Sequence, residues 1–195
     1  MAYEPKTFLT NPSGTGDKSD AQNDPDSSLG GWCSSTEMSL TIGNLWEKLS
    51  LDQLQSSTTY RCVCLANANT TDTLEECRVM SGDLTSFEAL GFSLEFGLGA
   101  YDTTTQAPNC ADENTPPAGV TFFAPHQAIG ANQTDWSNAR KIGALNTLDN
   151  DTDITVDENV RTFLFIKLSC ANVDAGSFDG SNNLIPINVV GADGV

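Results

Sequence analysis

A chain of 195 residues is long enough for one domain with a real core, and its 38% hydrophobic content is low but workable. Its formal charge of −17, from 9 Lys and Arg against 26 Asp and Glu, argues against nucleic-acid backbones and anionic membrane surfaces as partners and favours solubility. Nowhere do roughly 18 apolar residues run together, so no membrane-spanning helix is expected. The first residues also lack the apolar run and cleavage site of a secretory signal, and we expect a chain used in the cytosol with reduced cysteines.

Residues 1–31 are rich in Gly, Ser, Asp, Asn, Pro and Thr. The stretch "NPSGTGDKSDAQNDPDSSLGG" offers little to bury and reads as an extended N-terminal arm that orders when something holds it. From Trp32 onward apolar residues recur with period two, which puts a β-domain over 32–195. "MSLTI" sets Met38, Leu40 and Ile42 on one face. "YRCVCLA" sets Tyr60, Cys62, Cys64 and Ala66 on one face and Arg61, Val63 and Leu65 on the other, as an interior strand would. "ANANTTDT" has turn composition, so "LEECRVM" reads as the second strand of a hairpin.

Further along, "GFSLEFGLG" alternates Phe92, Leu94, Phe96 and Leu98 with small or polar residues. "AGVTFFA" is a short strand, and "RTFLFIKLSCA" is the most apolar one, with Leu164, Ile166, Leu168 and Cys170 on one face. The last, "LIPINVV", carries Pro186 as the mark of an edge or bulge. Helical pattern is confined to "NLWEKLSLDQLQ" and "QTDWSNARKIGAL", neither of them long. The fold class expected is all-β, a jelly-roll-like β-sandwich with little helix and an N-terminal arm.

Candidate chemistry is sparse. Asp149, Asp151 and Asp153 have the D-x-D-x-D spacing with which a loop presents oxygens to Ca²⁺. Ile154 and Val160 stand where an EF-hand needs Gly and Glu, so the alternatives are an irregular Ca²⁺ loop and an acidic solvated turn. The loop "NVDAGSFDGSNN" reads as a hairpin connection. Cys62 and Cys64 are separated by one residue, and the other four cysteines stand alone with His126 as the only histidine. That is not zinc spacing, and small apolar core residues are the better reading. His126 has no nucleophile elbow to serve, and no phosphate-binding glycine loop occurs. Trp32, Trp46 and Trp136 suit core or interface packing better than a sugar platform. No catalytic residue and no cofactor is therefore expected, and the chain reads as a non-enzyme.

The order "SSLGGWCSST", "YRCVCLANANTTDTLEECRVM", "ENTPPAGVTFFAP", "IGAL" and "FLFIKLSCANVDAG" resembles a group of small β-rich structural proteins of tailed bacteriophages. The similarity runs in blocks over most of residues 28–190, and none of the blocks is a catalytic signature. The resemblance implies a virion protein of the capsid decoration or cement type on the capsid exterior, assembled in the host cytoplasm. Its partners would be the major capsid protein and copies of itself, in a trimer. The apolar step Leu29, Gly30, Gly31 and Trp32 at the base of the arm is the expected partner-binding anchor. A tail, neck or glycan-binding β-module is the alternative.

Overall fold

The computed structural model describes residues 5–16, 19–38, 45–46, 58–67, 74–101, 107–127, 139–141, 161–171 and 187–193. Nine strands occur among them: β1 (Pro5–Asn11), β2 (Trp32–Met38), β3 (Thr59–Asn67), β4 (Leu74–Ser81), β5 (Phe92–Tyr101), β6 (Phe122–Phe123), β7 (Arg140–Lys141), β8 (Arg161–Cys170) and β9 (Ile187–Asp193). Helix among the described residues is limited to one turn, Thr85–Ala89, and a 3₁₀ turn, Pro25–Ser27. The fold is all-β. Six strands form one antiparallel sheet in the order β2-β1-β3-β8-β5-β6, and three form another in the order β7-β4-β9.

The most apolar strand, β8, lies between β3 and β5, where both of its faces are covered. Leu164, Ile166 and Leu168 pair across the sheet with Leu98, Phe96 and Leu94. With Val63 and Leu65 of β3 they form one core, joined by Cys77 and Val79 of β4 and Ile187 of β9. That core is shared by the two sheets. The opposite face of β8 presents Phe163 and Phe165, which pack with Phe8, Cys33, Tyr60, Cys62, Cys64, Ala107 and Cys110 in a second core. Each fully buried large apolar side chain is worth about 1.5–3 kcal/mol relative to exposure, so a strand buried on both faces anchors the fold. Gly97 and Gly99 of β5 fall on this second face. A Cβ at Gly97 would lie 2.5 Å from Val120 Cγ1, and one at Gly99 2.9 Å from Phe165 Cε2. Gly97 and Gly99 thus leave space for aromatic packing and do not face water, whereas Ser93 is exposed.

Three expectations are corrected. Residues 5–11 are no arm: β1 pairs with β2 on one side and β3 on the other, inside the six-stranded sheet. Its apolar residues Phe8 and Leu9 are adjacent because each serves a different core, so neither periodicity nor composition flagged a strand. Second, β3 and β4 do not form a hairpin. The neighbours of β3 are β1 and β8, whereas β4 lies in the other sheet, so the chain passes from one sheet to the other between them. Third, β8 and β9 lie in different sheets and make no hairpin either. Of the two helical expectations, Leu45 and Trp46 are buried and Arg140–Lys141 is strand. Ala139 is buried beside that strand, and the remaining residues of both segments lie outside the described residues.

Where β1 and β3 part after the Leu9–Val63 pair, a strap running from Asp24 to Gly31 takes over. Ser28 substitutes for the lost ladder. Its Oγ accepts from Thr10 N at 2.8 Å and donates to Cys62 O at 2.5 Å, and its own carbonyl accepts from Cys62 N at 2.7 Å. Thr10 Oγ1 then accepts from Gly30 N at 2.9 Å. Every partner is buried, so Ser28→Ala leaves Thr10 N and Cys62 O without this hydroxyl in an apolar setting. We expect a loss of about 2–3 kcal/mol in urea denaturation, against a few tenths for an exposed serine such as Ser13. A loss as small as the Ser13 control would contradict the role given to Ser28.

Candidate functional site

The polar centre of the molecule is Arg61. It occupies the apolar strand β3 on the same face as Val63 and Leu65, and it is 0% exposed. Burying a guanidinium is costly unless its donors are paired. Here Nε donates to Leu45 O at 3.1 Å and Nη1 to Tyr60 O at 2.9 Å. Nη2 donates to Asp26 Oδ1 at 2.5 Å and Glu113 Oε2 at 3.0 Å. The guanidinium carbon stands 5.6 Å from the centre of the Trp46 ring, whose Nε1 donates to Thr59 Oγ1 at 2.6 Å. Asp26 belongs to the strap, and Glu113 to a second covering loop, 107–120. One buried cation therefore holds two surface segments against the end of β3.

The strap and the loop also bind each other. Cys110 N donates to Leu29 O and Ala107 N to Gly31 O, both at 2.8 Å, while Tyr60 N donates to Glu113 O at 2.7 Å. Gly30 bridges Asn109. This approach requires glycine. Gly30 and Gly31 have φ of 105° and 86°, and a Cβ on Gly30 would lie 2.2 Å from Pro108 O. The expected anchor is thus placed as follows: Leu29 packs on the second core, Gly30 and Gly31 are buried against the chain's own loops, and Trp32 is half-buried at the start of β2, opposite Asn11. Of the four, Leu29 and Trp32 are half-buried, and Trp32 is the larger side chain in reach of solvent. Asp149, Asp151, Asp153 and Trp136 lie outside the described residues.

Three other acids, Asp20, Asp83 and Asp112, serve local turns. Asp20 is held below the usual carboxylate range by Thr15, whose N–H and hydroxyl it accepts at 2.9 and 3.1 Å. The Asn114 N–H and the Thr115 hydroxyl do the same for Asp112, and the Thr85 hydroxyl and N–H for Asp83. His126 is half-buried and gives its carbonyl to Ser81 N.

None of the six cysteines is in a disulfide. Cys62 and Cys64 point to the second core and Cys77 to the first, on opposite sides of the six-stranded sheet, so Cys62 and Cys77 are no disulfide pair. Burial pushes the Cys62 thiol well up and those of Cys77 and Cys110 to about 12. Among the described residues, no three His, Cys, Asp or Glu side chains come together in a group that could hold a metal ion. These thiols are small apolar core residues.

The raised thiols predict an alkaline weakness. Below pH 9 both folded and unfolded chains hold the Cys77 proton. Above it the unfolded chain releases the proton while the folded chain keeps it to about 12. Cys77 stabilisation therefore falls as pH rises through that window, by up to about 1.4 kcal/mol per pH unit. Urea midpoints of wild type should fall more steeply above pH 9 than those of Cys77→Ala. Parallel slopes would contradict the burial argument.

The sequence reading missed Arg61, Asp26 and Glu113 as a unit. Its signal was present in "YRCVCLA", where a charged residue occupies an inward slot and requires carboxylates from elsewhere. Comparison with family models, curated proteins and solved structures finds no match for this chain.

Proposed function

We propose that this chain is a non-enzymatic structural protein of a tailed-bacteriophage virion, a decoration or cement protein that clamps neighbouring capsid subunits on the particle exterior. Its partners in this reading are the major capsid protein and further copies of itself. The observation that carries the reading is the set of blocks that resemble such proteins, together with their meeting point. "SSLGGW", "YRC" and "ENTPPAGV" are far apart in the chain, yet Ser28 O accepts from Cys62 N, and Tyr60 N donates to Glu113 O beside the Asp26–Arg61–Glu113 junction. Blocks that share one structural junction describe a scaffold more readily than a reaction centre.

The chemistry of the described groups supports the same reading. The thiols of Cys62, Cys77 and Cys110 are held protonated, and Asp20, Asp83 and Asp112 are held ionised as turn acceptors. None is poised for proton transfer or attack near neutral pH. The −17 charge keeps free subunits apart until they dock. Clamping would then come from many modest contacts acting together.

Trp32 is the side chain of the anchor through which docking is tested. Trp32→Ala should weaken binding of the purified protein to capsids lacking it by at least about tenfold, as a hot-spot aromatic does. The urea midpoint of the free protein should change little by comparison. Undiminished capsid binding would remove Trp32 from the interface, and failure of wild type to bind would overturn the proposed role.

A further inference from the structure

We infer that β1 is an exchangeable strand, and that the groove between β2 and β3 accepts the β1 of a second copy of this chain. The inference deepens the self-association part of the proposed function, but it stands on the sheet topology and is tested without a capsid.

β1 is the first strand among the described residues and yet is not the edge strand: it lies second in the six-stranded sheet, with β2 outside it and β3 inside. Both of its backbone edges are paired, from Thr7–Met38 to Asn11–Trp32 on one side and from Pro5–Asn67 to Leu9–Val63 on the other. Withdrawing it opens an unpaired slot inside the six-stranded sheet, with the backbone groups of β2 and β3 facing each other across it. The slot has a demanding shape. It takes Leu9 toward the core shared by the two sheets and Phe8 toward the other core, with a register shift between Phe8 and Thr10. The segment whose fit is established is β1 itself, so the second copy is the occupant we assign.

The connection favours exchange. β1 leaves the sheet through a turn closed by Gly14 N to Asn11 O at 3.2 Å and Ser13 N to Asn11 Oδ1 at 3.1 Å, the latter an exposed bond. Straightening residues 12–16 gives a reach of roughly 17 Å, which exceeds three strand spacings. Beyond that hinge the strap is fixed by the bonds of Ser28 to β3 and of Asp26 to Arg61. The strap therefore stays with its own domain while β1 departs. In the exchanged form every contact of β1 is remade by an identical strand, so the balance is set by the hinge and by protein concentration.

The test uses the register. Lys6 pairs with Ala66 across β1 and β3. One full-length chain carries Lys6→Cys, a second carries Ala66→Cys, and a third carries both. The first two are mixed, unfolded and refolded together at high concentration, then oxidised mildly, and disulfide-linked peptides are mapped by mass spectrometry. The expected result is a 6–66 link between different chains in a dimeric or larger fraction, absent when each variant is refolded alone. A 6–66 link within the double variant but none across the mixture would overturn exchange. No 6–66 link in any sample would overturn the placement of β1 on which it rests. Neither outcome touches the virion reading, which is read from particles.

Discussion

Asp26→Asn and Glu113→Gln combined in one chain should lower the unfolding free energy by about 3–5 kcal/mol, although both side chains are partly exposed and neither belongs to the apolar core. The cause is the group they leave behind. Arg61 is 0% exposed, and its two carboxylate partners carry the only described negative charge in contact with it. With both neutralised, the guanidinium keeps its carbonyl acceptors on Leu45 and Tyr60 but remains a buried cation without a counter-charge. Each single substitution should cost far less, about 0.5–1.5 kcal/mol, because the remaining carboxylate still neutralises Arg61 and the introduced amide can still accept from Nη2. The two losses are therefore not additive, and a double-mutant cycle in urea reads the difference directly. An additive cycle with a small total would mean that solvent reaches Arg61 and that the clamp is a surface feature.

Gly30→Ala and Gly31→Ala form the second large effect. At Gly30 the new Cβ meets the Pro108 carbonyl oxygen at 2.2 Å, and at Gly31 it meets Pro12 Cα at 2.6 Å. Both obstacles are backbone, so no side chain can swing aside, and both positions have positive φ. Backbone strain of about 1–3 kcal/mol adds to overpacking of similar size, and a total of about 3–5 kcal/mol is expected for each. The damage should be local before it is global. In hydrogen exchange, the amides of Cys110 and Ala107, which donate to Leu29 and Gly31, should lose protection first. Unchanged stability in both variants would mean that the strap and the 107–120 loop are not packed as described.

These two results bear on how the sequence is read. The strands with large apolar content were legible: β3, β5 and β8 stand where period two put them, and the two-sided pattern of "YRCVCLA" corresponds to two separate cores. Partnership was not legible. "ANANTTDT" has turn composition, but composition carries no information on whether the next strand returns beside the first or crosses to another sheet. The N-terminal residues were misread for a related reason. Their polar groups are satisfied by specific partners, such as Ser28 on Thr10 and Cys62, and composition counts polar residues without their partners. The "LGGW" step was read as an anchor for a partner, and within the chain its two glycines serve internal close packing. Arg61 was put on the correct face, and its carboxylates, 35 and 52 residues distant, were beyond any local pattern.

The central claim is a place in a virion, and the most direct measurement is quantitative mass spectrometry of purified particles that encode this chain, with the major capsid protein as internal reference. Decoration or cement predicts a copy number close to that of the capsid protein, since each clamp serves neighbouring capsid subunits. A handful of copies per particle would contradict that role, and absence from purified particles would contradict a virion role altogether.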